Sequence, residues 1–192
     1  MDNSSYACLT KQVYNFDDYT ILPLRLIDKQ DIMNWRNAQM DVLRQNRVLT
    51  IEDQSKYFTN VIAPLFTQEF PQQILFSFLY KNVCIGYGGL VHITWADKRG
   101  EISFLLDNNR LSDNEQYRKE FSIFLDFMKK VAFDDLKFNR LFTETYDIRP
   151  FHIGVLENNG FLLEGRMKQH IFMNGNFCDS LIHGFLKEYR NV

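Results

Sequence analysis

The sequence predicts an α+β domain: a single mixed, mostly antiparallel sheet with helices on both faces. Three observations predict it. Two pairs of β-rich runs, 74–80 with 83–93 and 161–173 with 177–186, are separated by the short turns Lys81-Asn82 and Asn174-Gly175-Asn176, which reads as two hairpins. Over Tyr117–Phe133, the residues Tyr117, Phe121, Phe124, Leu125, Met128, Val131 and Ala132 form one apolar helical stripe. The segments together run β, α, α, β, β, β, α, β, α, β, β, an order that places helices on the faces of one sheet.

The elements follow in order. Residues 1–19 are polar with scattered aromatics and read as an N-terminal extension, leaving 20–192 as the domain. Thr20–Ile27 alternates as a first strand. Asp28 is the expected N-cap of a helix over Lys29–Ala38, where Ile32, Trp35 and Arg36 fall at helical spacing. Thr50 opens a helix to Ile62 with Glu52 and Asp53 in its first turn, and Pro64 and Pro71 are expected to break the chain. The first hairpin follows, then a strand over Arg99–Asp107, the long helix and a strand over Phe138–Tyr146. Ser112-x-x-Glu115 reads as a capping box that starts the long helix early. Pro150 opens a short helix, Gly160 ends it in a left-handed cap, and the second hairpin closes the chain.

Composition narrows the function. With 192 residues, 45% hydrophobic and 24% charged, the chain suits one globular domain, and 18 Phe with 9 Tyr suggest an aromatic core or cleft. A formal charge of −2 speaks against nucleic acid or a membrane surface as the main partner. Cys8, Cys84 and Cys178 are odd in number and widely spaced, as reduced thiols would be. There is no leader-like segment and no run of about 20 apolar residues, so a cytoplasmic protein is expected. The four histidines lack paired metal-ligand spacing, and no metal site is expected.

The most specific stretch is Asn139–Arg166. Arg140, Ile153, Glu157, Gly160, Phe161, Glu164 and Gly165 fall, without a gap, on a strand, a short helix and a Gly-Phe turn into the next strand. This resembles the C-terminal half of the GNAT acyl-CoA N-acetyltransferases. Leu24-Arg25-Leu26 with Asp31 and Trp35-Arg36-Asn37 resembles the family's first strand and helix, especially in the branch acting on protein N-termini and nucleotide-linked amino sugars. Ile85–Leu90 and Gly100–Phe104 resemble its two central strands. The resemblance covers roughly Leu22 to Leu186. It departs from the family at the phosphate loop, where 108–116 (NNRLSDNEQ) holds no glycine and Asp113 and Glu115 oppose an anion.

The resemblance implies acetyl-CoA as acyl donor, contacted by Phe104, Leu105 and Leu106 on the strand, by Arg110, Ser112, Asn114 and Gln116 around the loop, and by Asn158. It implies Glu101 as the base that takes the amine's proton. The family's thiolate-protonating tyrosine is Leu156 here. His152, as an imidazolium, is therefore the first candidate for that role and Tyr146 the second. Trp35, Arg36, His92, Glu144 and His170 are the expected acceptor-binding residues, with Thr143, Thr145, Trp95 and Phe172 nearby. Each also has an ordinary alternative as a core, strand or salt-bridge residue. The expected activity is direct transfer, in a ternary complex, to a primary amine: an amino sugar or other small amine, or a protein N-terminus. The alternative is a non-catalytic ligand- or protein-binding module of the same fold. A homodimer is a common arrangement for such domains, and the sequence leaves assembly open.

Overall fold

The computed structural model describes residues 4–191. Eight strands form one sheet in the order β1-β2-β3-β4-β5-β6-β8-β7. They are β1 Tyr14–Phe16, β2 Tyr19–Pro23, β3 Ile74–Tyr80, β4 Val83–Thr94, β5 Arg99–Leu106, β6 Arg140–Tyr146, β7 Leu162–Met173 and β8 Asn176–Leu186. Every neighbouring pair is antiparallel except β5–β6. The predicted α+β fold with a mixed, mostly antiparallel sheet is the observed one.

Both hairpins close as expected. Lys81 and Asn82 take φ of 48° and 67°, and Asn174 and Gly175 take 51° and 79°. Two consecutive left-handed residues give a turn whose twist matches the strands it joins.

Four helices pack on the sheet. Helix α1 spans Lys29–Ala38 and α2 spans Ile51–Tyr57, capped by the reciprocal Thr50–Asp53 pair. The path of α2 continues through a wider π turn, Phe58–Ile62, into Ala63–Leu65. Pro64, expected to break the chain, therefore sits inside helical structure, at the first turn of that final piece, where its missing N–H is tolerated. Helix α3 spans Asn114–Lys129 and runs on as a π segment, Lys130–Asp135; helix α4 spans Pro150–Asn158. Gly160, with φ 83°, ends α4 in the predicted left-handed cap.

The stripe predicted for α3 is its buried face. Phe121, Phe124, Leu125 and Met128 are all buried, and Phe104 of β5 stacks on Phe121 with ring centroids 4.6 Å apart. Gly88 of β4 permits this approach: a Cβ there would stand 2.9 Å from the Phe124 ring and 2.2 Å from the Ser103 carbonyl.

Four local expectations are corrected. The segment read as an extension is folded onto the domain (its residues 1–3 lie outside those described). Tyr6 and Leu9 are buried, and the Tyr6 hydroxyl donates to the Leu75 carbonyl while the Leu75 N–H donates back. Isolated aromatics in a polar run gave no periodicity by which to read this anchoring. The first strand ends at Pro23 rather than Ile27, giving way to a tight turn at Leu26–Asp28. Asp28 does not cap α1; its carboxylate is held by Arg25 at 2.7 Å and by the Ser77 hydroxyl at 2.6 Å. Lastly, α3 is capped by Asp113 instead of Ser112: its side chain accepts from the N–H groups of Glu115 and Gln116.

Candidate active site

The parallel pairing of β5 and β6 lasts three residues, Arg99, Gly100 and Glu101 against Arg140, Leu141 and Phe142. Beyond Glu101 the strands part. On its far side β6 stays paired with β8 through Tyr146 and Ser180, so the gap opens on one edge of β5 only. The gap is a cleft of about 180 Å³, walled by both strands, by Val42–Arg44 after α1, and by Arg149 and His152 at the start of α4.

Alternation along the strands puts Glu101 and Glu144 on one face of the sheet. Arg44 Nη2 lies between them, 3.2 Å from Glu101 Oε1 and 2.6 Å from Glu144 Oε2. The other oxygen of Glu101 lies 2.7 Å from His92 Nδ1, and His170 Nε2 is 3.7 Å from Glu144 Oε1. Both histidines stand at β-bulges, between Val91 and Thr94 of β4 and between Met167 and Ile171 of β7. His92 has φ 45°, and Gln169, beside His170, has φ 50°. A bulge re-aims the side chains around it, and here two bulges bring two imidazoles to two carboxylates. Glu101 is 10% exposed and His92 63% exposed, so the pair joins the cleft to solvent.

Tyr146 lines the same cleft. Burial raises its pKa above the ordinary tyrosine value, against a smaller lowering by Arg44. The hydroxyl therefore keeps its proton at neutral pH.

His152 lines the cleft too, but the imidazolium role is corrected. The ring is buried, stacks on Phe121 at 4.3 Å, and shares a 2.7 Å hydrogen bond with the Tyr117 hydroxyl. Tyr117 in turn accepts from Arg149 Nη2 at 3.3 Å. Burial, reinforced by the Arg149 charge, holds its pKa well below the usual histidine value. A neutral imidazole has no extra proton to give.

The cleft continues past Val42, Arg149 and His152 into a second groove of about 450 Å³, lined by Gln39 after α1 and by Asn114 and Tyr117 at the start of α3. Of the residues expected at a cofactor, Phe104 lines the cleft and Asn114 the second groove. Leu105 and Leu106 are core side chains, and the Leu106 carbonyl is already bonded by Gln39 Nε2 at 2.8 Å. Arg110 is turned inward onto buried Glu120, with Nε 2.9 Å from Oε2, and Gln116 packs its amide against the same pair. Ser112 is exposed just before the cap. Asn158 is corrected outright: it is exposed at the C-terminal end of α4, while the cleft lies at the N-terminal end, six residues or about 9 Å along the axis.

Of the acceptor candidates, Arg36 lines the cleft and donates to the Tyr87 hydroxyl at 2.7 Å. Trp35 is a core residue, Trp95 donates its indole N–H to the Pro71 carbonyl at 2.9 Å, and Phe172 packs on Phe177. Thr143 and Thr145 are cleft-lining residues. Arg44, Tyr117 and Arg149 were not expected. No sequence signal marks Arg44, which lies in an irregular run and meets strands 57 and 100 positions away. Among the described residues no cluster of three His, Cys, Asp or Glu side chains could hold a metal, and no helix is long and apolar enough to cross a membrane.

A mixed sheet whose two parallel strands part beside a carboxylate is the frame of an acyl-CoA N-acyltransferase. Residues 24–182 match the model of the acetyltransferase (GNAT) domain, and the chain belongs to that family. No curated protein sequence matches it. Among solved structures, the chain is similar to the spermidine N-acetyltransferase of Vibrio cholerae in complex with CoA and spermine, with TM-score 0.78, 18% identity, and coverage of 92% of this chain and 100% of that one. A chimera of that enzyme with hSSAT gives 0.78, 16%, 91% and 99%, and its dodecameric form in an intermediate state gives 0.75, 15%, 91% and 97%. At identities this low the similarity shows the shared fold alone.

The family's acyl donor is acetyl-CoA, and the groove fits it at one end better than the other. Past Glu101 the edge of β5 facing β6 has no strand partner among the described residues, which suits an amide-bearing chain laid along it. At the phosphate end, Asp113 already occupies two α3 N–H groups and Arg110 is engaged by Glu120. Arg149 lines that end, and the exposed Arg118 lies over the ring of Phe151, a lining residue. These two, with Asn114, are the residues that would hold the diphosphate.

Proposed function

We propose that this GNAT acetyltransferase acetylates a small cationic primary amine, in a ternary complex, with Glu101 as the base. One observation carries the reading: the 2.7 Å contact between Glu101 and His92 where β5 and β6 part. A carboxylate inside the cleft backed by an imidazole at its rim can take a proton from an ammonium and pass it to water. Acetyl-CoA supplies the activated carbonyl. The acceptor gives up two protons in becoming an amide. One leaves through Glu101 and His92, and the other replaces the proton that the Tyr146 hydroxyl donates to the departing sulfur. The free N–H groups of β5 beyond Glu101 supply the donors for the developing oxyanion. No cysteine lines the cleft, consistent with direct transfer.

Amino sugars and polyamines both belong to this acceptor class. The first is suggested by the Trp35-Arg36-Asn37 helix, although only Arg36 of it reaches the cleft; the second is suggested by the similarity to a spermidine N-acetyltransferase. A protein N-terminus is less well served, because the carboxylates sit deep in a cleft of about 180 Å³. We place the chain in the cytoplasm and propose that it assembles as a homo-oligomer, which light scattering would check. The second reading, a binding module without activity, rests on the phosphate end, where the helix cap and Arg110 are satisfied internally. The test is release of free thiol from acetyl-CoA with 1,4-diaminobutane, glucosamine and a tripeptide as acceptors. Turnover that is lost in Glu101→Gln supports the enzyme. Absence of turnover with every amine, with acetyl-CoA bound, supports the module.

A further inference from the structure

Arg44 places one nitrogen, Nη2, between two carboxylates from strands that have just parted. The acids belong to the cleft: Glu101 and Glu144 are 10% and 16% exposed, while Arg44 is 43% exposed and reaches in from the rim. Its backbone lies between the turn Met40–Val42 and α2, in a stretch without regular structure. A seat of two largely buried acids favours a cation, because removing one partner of such a cluster leaves charge uncompensated.

The same seat is where an acceptor nitrogen must lie to give its proton to Glu101. Two groups cannot fill it together. The geometry points to Arg44 as a resident stand-in: Nη2 occupies the position of the acceptor's ammonium, acceptor binding displaces the Arg44 side chain outward, and the acceptor is therefore an unhindered aliphatic primary amine bound as its cation. This deepens the N-acetyltransferase reading and rests on it.

Three chemical points support the assignment. A neutral acceptor would leave both carboxylates without the permanent cation that now bridges them, with only the His92 and His170 imidazoles beside them, once Arg44 moved. A primary ammonium has three N–H donors, enough for both acids with one more to spare. A guanidinium stays protonated in proteins and is not a nucleophile, so Arg44 can rest beside a base without becoming a substrate.

The test compares the full chain with Arg44→Met. The expected result is a fall of about tenfold in the KM for 1,4-diaminobutane, with a rise in kcat/KM, while the KM for acetyl-CoA stays within twofold. Methylguanidinium, the head group of the displaced side chain, is expected to compete with the acceptor in the variant and only weakly in the parent. An acceptor KM that rises or stays unchanged in Arg44→Met overturns the proposal, since Arg44 would then hold the acceptor or be irrelevant to it. If neither protein acetylates any amine, the N-acetyltransferase reading fails separately. Calorimetric titration of methylguanidinium still decides the seat: binding to the variant alone supports it, and binding to neither overturns it.

Discussion

The two ends of the groove are built on opposite principles. At the acceptor end, groups from five parts of the chain converge: Glu101 from β5, Glu144 from β6, Arg44 from the irregular segment after α1, His92 from the bulge of β4 and His170 from the bulge of β7. Apart from His92–Glu101 across the β4–β5 pair, these contacts join positions distant in the chain. At the phosphate end, the helix serves itself. Asp113 caps α3, and Arg110, ten residues before Glu120, closes a buried ion pair within the same region. An internally satisfied helix start has less to offer an anion than the glycine-rich start it replaces. On the proposed reading, the contrast assigns the acyl donor to the open edge of β5 with Arg149, Arg118 and Asn114, and acceptor selection to the charges near Glu101.

The contrast can be broken most directly at the base. Glu101→Gln is expected to lower kcat/KM by about 10²–10⁴-fold, read by thiol release, with thermal unfolding little changed. A loss below about fivefold would move the base elsewhere. On the other side, Glu120→Ala removes the acid under Arg110. Stability is expected to fall by about 3–5 kcal/mol, as for other broken buried pairs, measured by urea unfolding; a loss near zero would show that Arg110 is free to serve the phosphates after all.

Tyr146→Phe is expected to reduce kcat by about 10²-fold with a smaller change in acceptor KM. Because burial raises the Tyr146 pKa, the acid must be protonated to act and stays so through neutral and mildly alkaline pH. Its loss as an acid belongs above the ordinary tyrosine value of about 10, and an alkaline limb near pH 8 would point to another donor. Arg149→Ala should raise the acetyl-CoA KM by about tenfold, in line with one charge-assisted hydrogen bond, whereas Arg110→Ala should leave it within twofold. Equal effects would erase the distinction between the two arginines. The smallest effect is expected for Asp113→Ala: a loss of about 1 kcal/mol of stability as the cap is removed, with acetyl-CoA binding a few-fold tighter as two N–H groups are freed.

Much of the fold was legible because its signals are local. Asn-containing turns, the apolar stripe of α3, Pro150 at a helix start and Gly160 at a helix end each act within a few residues. The misreadings were competitions that local reasoning does not see. Asp28 has the side chain of a cap but meets Arg25 and Ser77 first. Tyr6 looks like part of a tail and is fastened to Leu75, 69 positions away. Asn158 follows a family pattern that this helix, in space, turns away from the cleft.

The site divides along the same line. The resemblance, with strand position, singled out Glu101, Tyr146, His92 and Glu144 as candidates, and the structure places Glu101, Glu144 and Tyr146 in one cleft with His92 against Glu101. Tertiary structure alone decided what each could do. Burial between Phe121 and Tyr117 keeps His152 neutral, Glu120 draws Arg110 away from the phosphate end, and Arg44 arrives between two carboxylates from a segment with no pattern of its own. Protonation and ion pairing depend on distance and on exclusion of water, and neither quantity exists until strands far apart in sequence have come together.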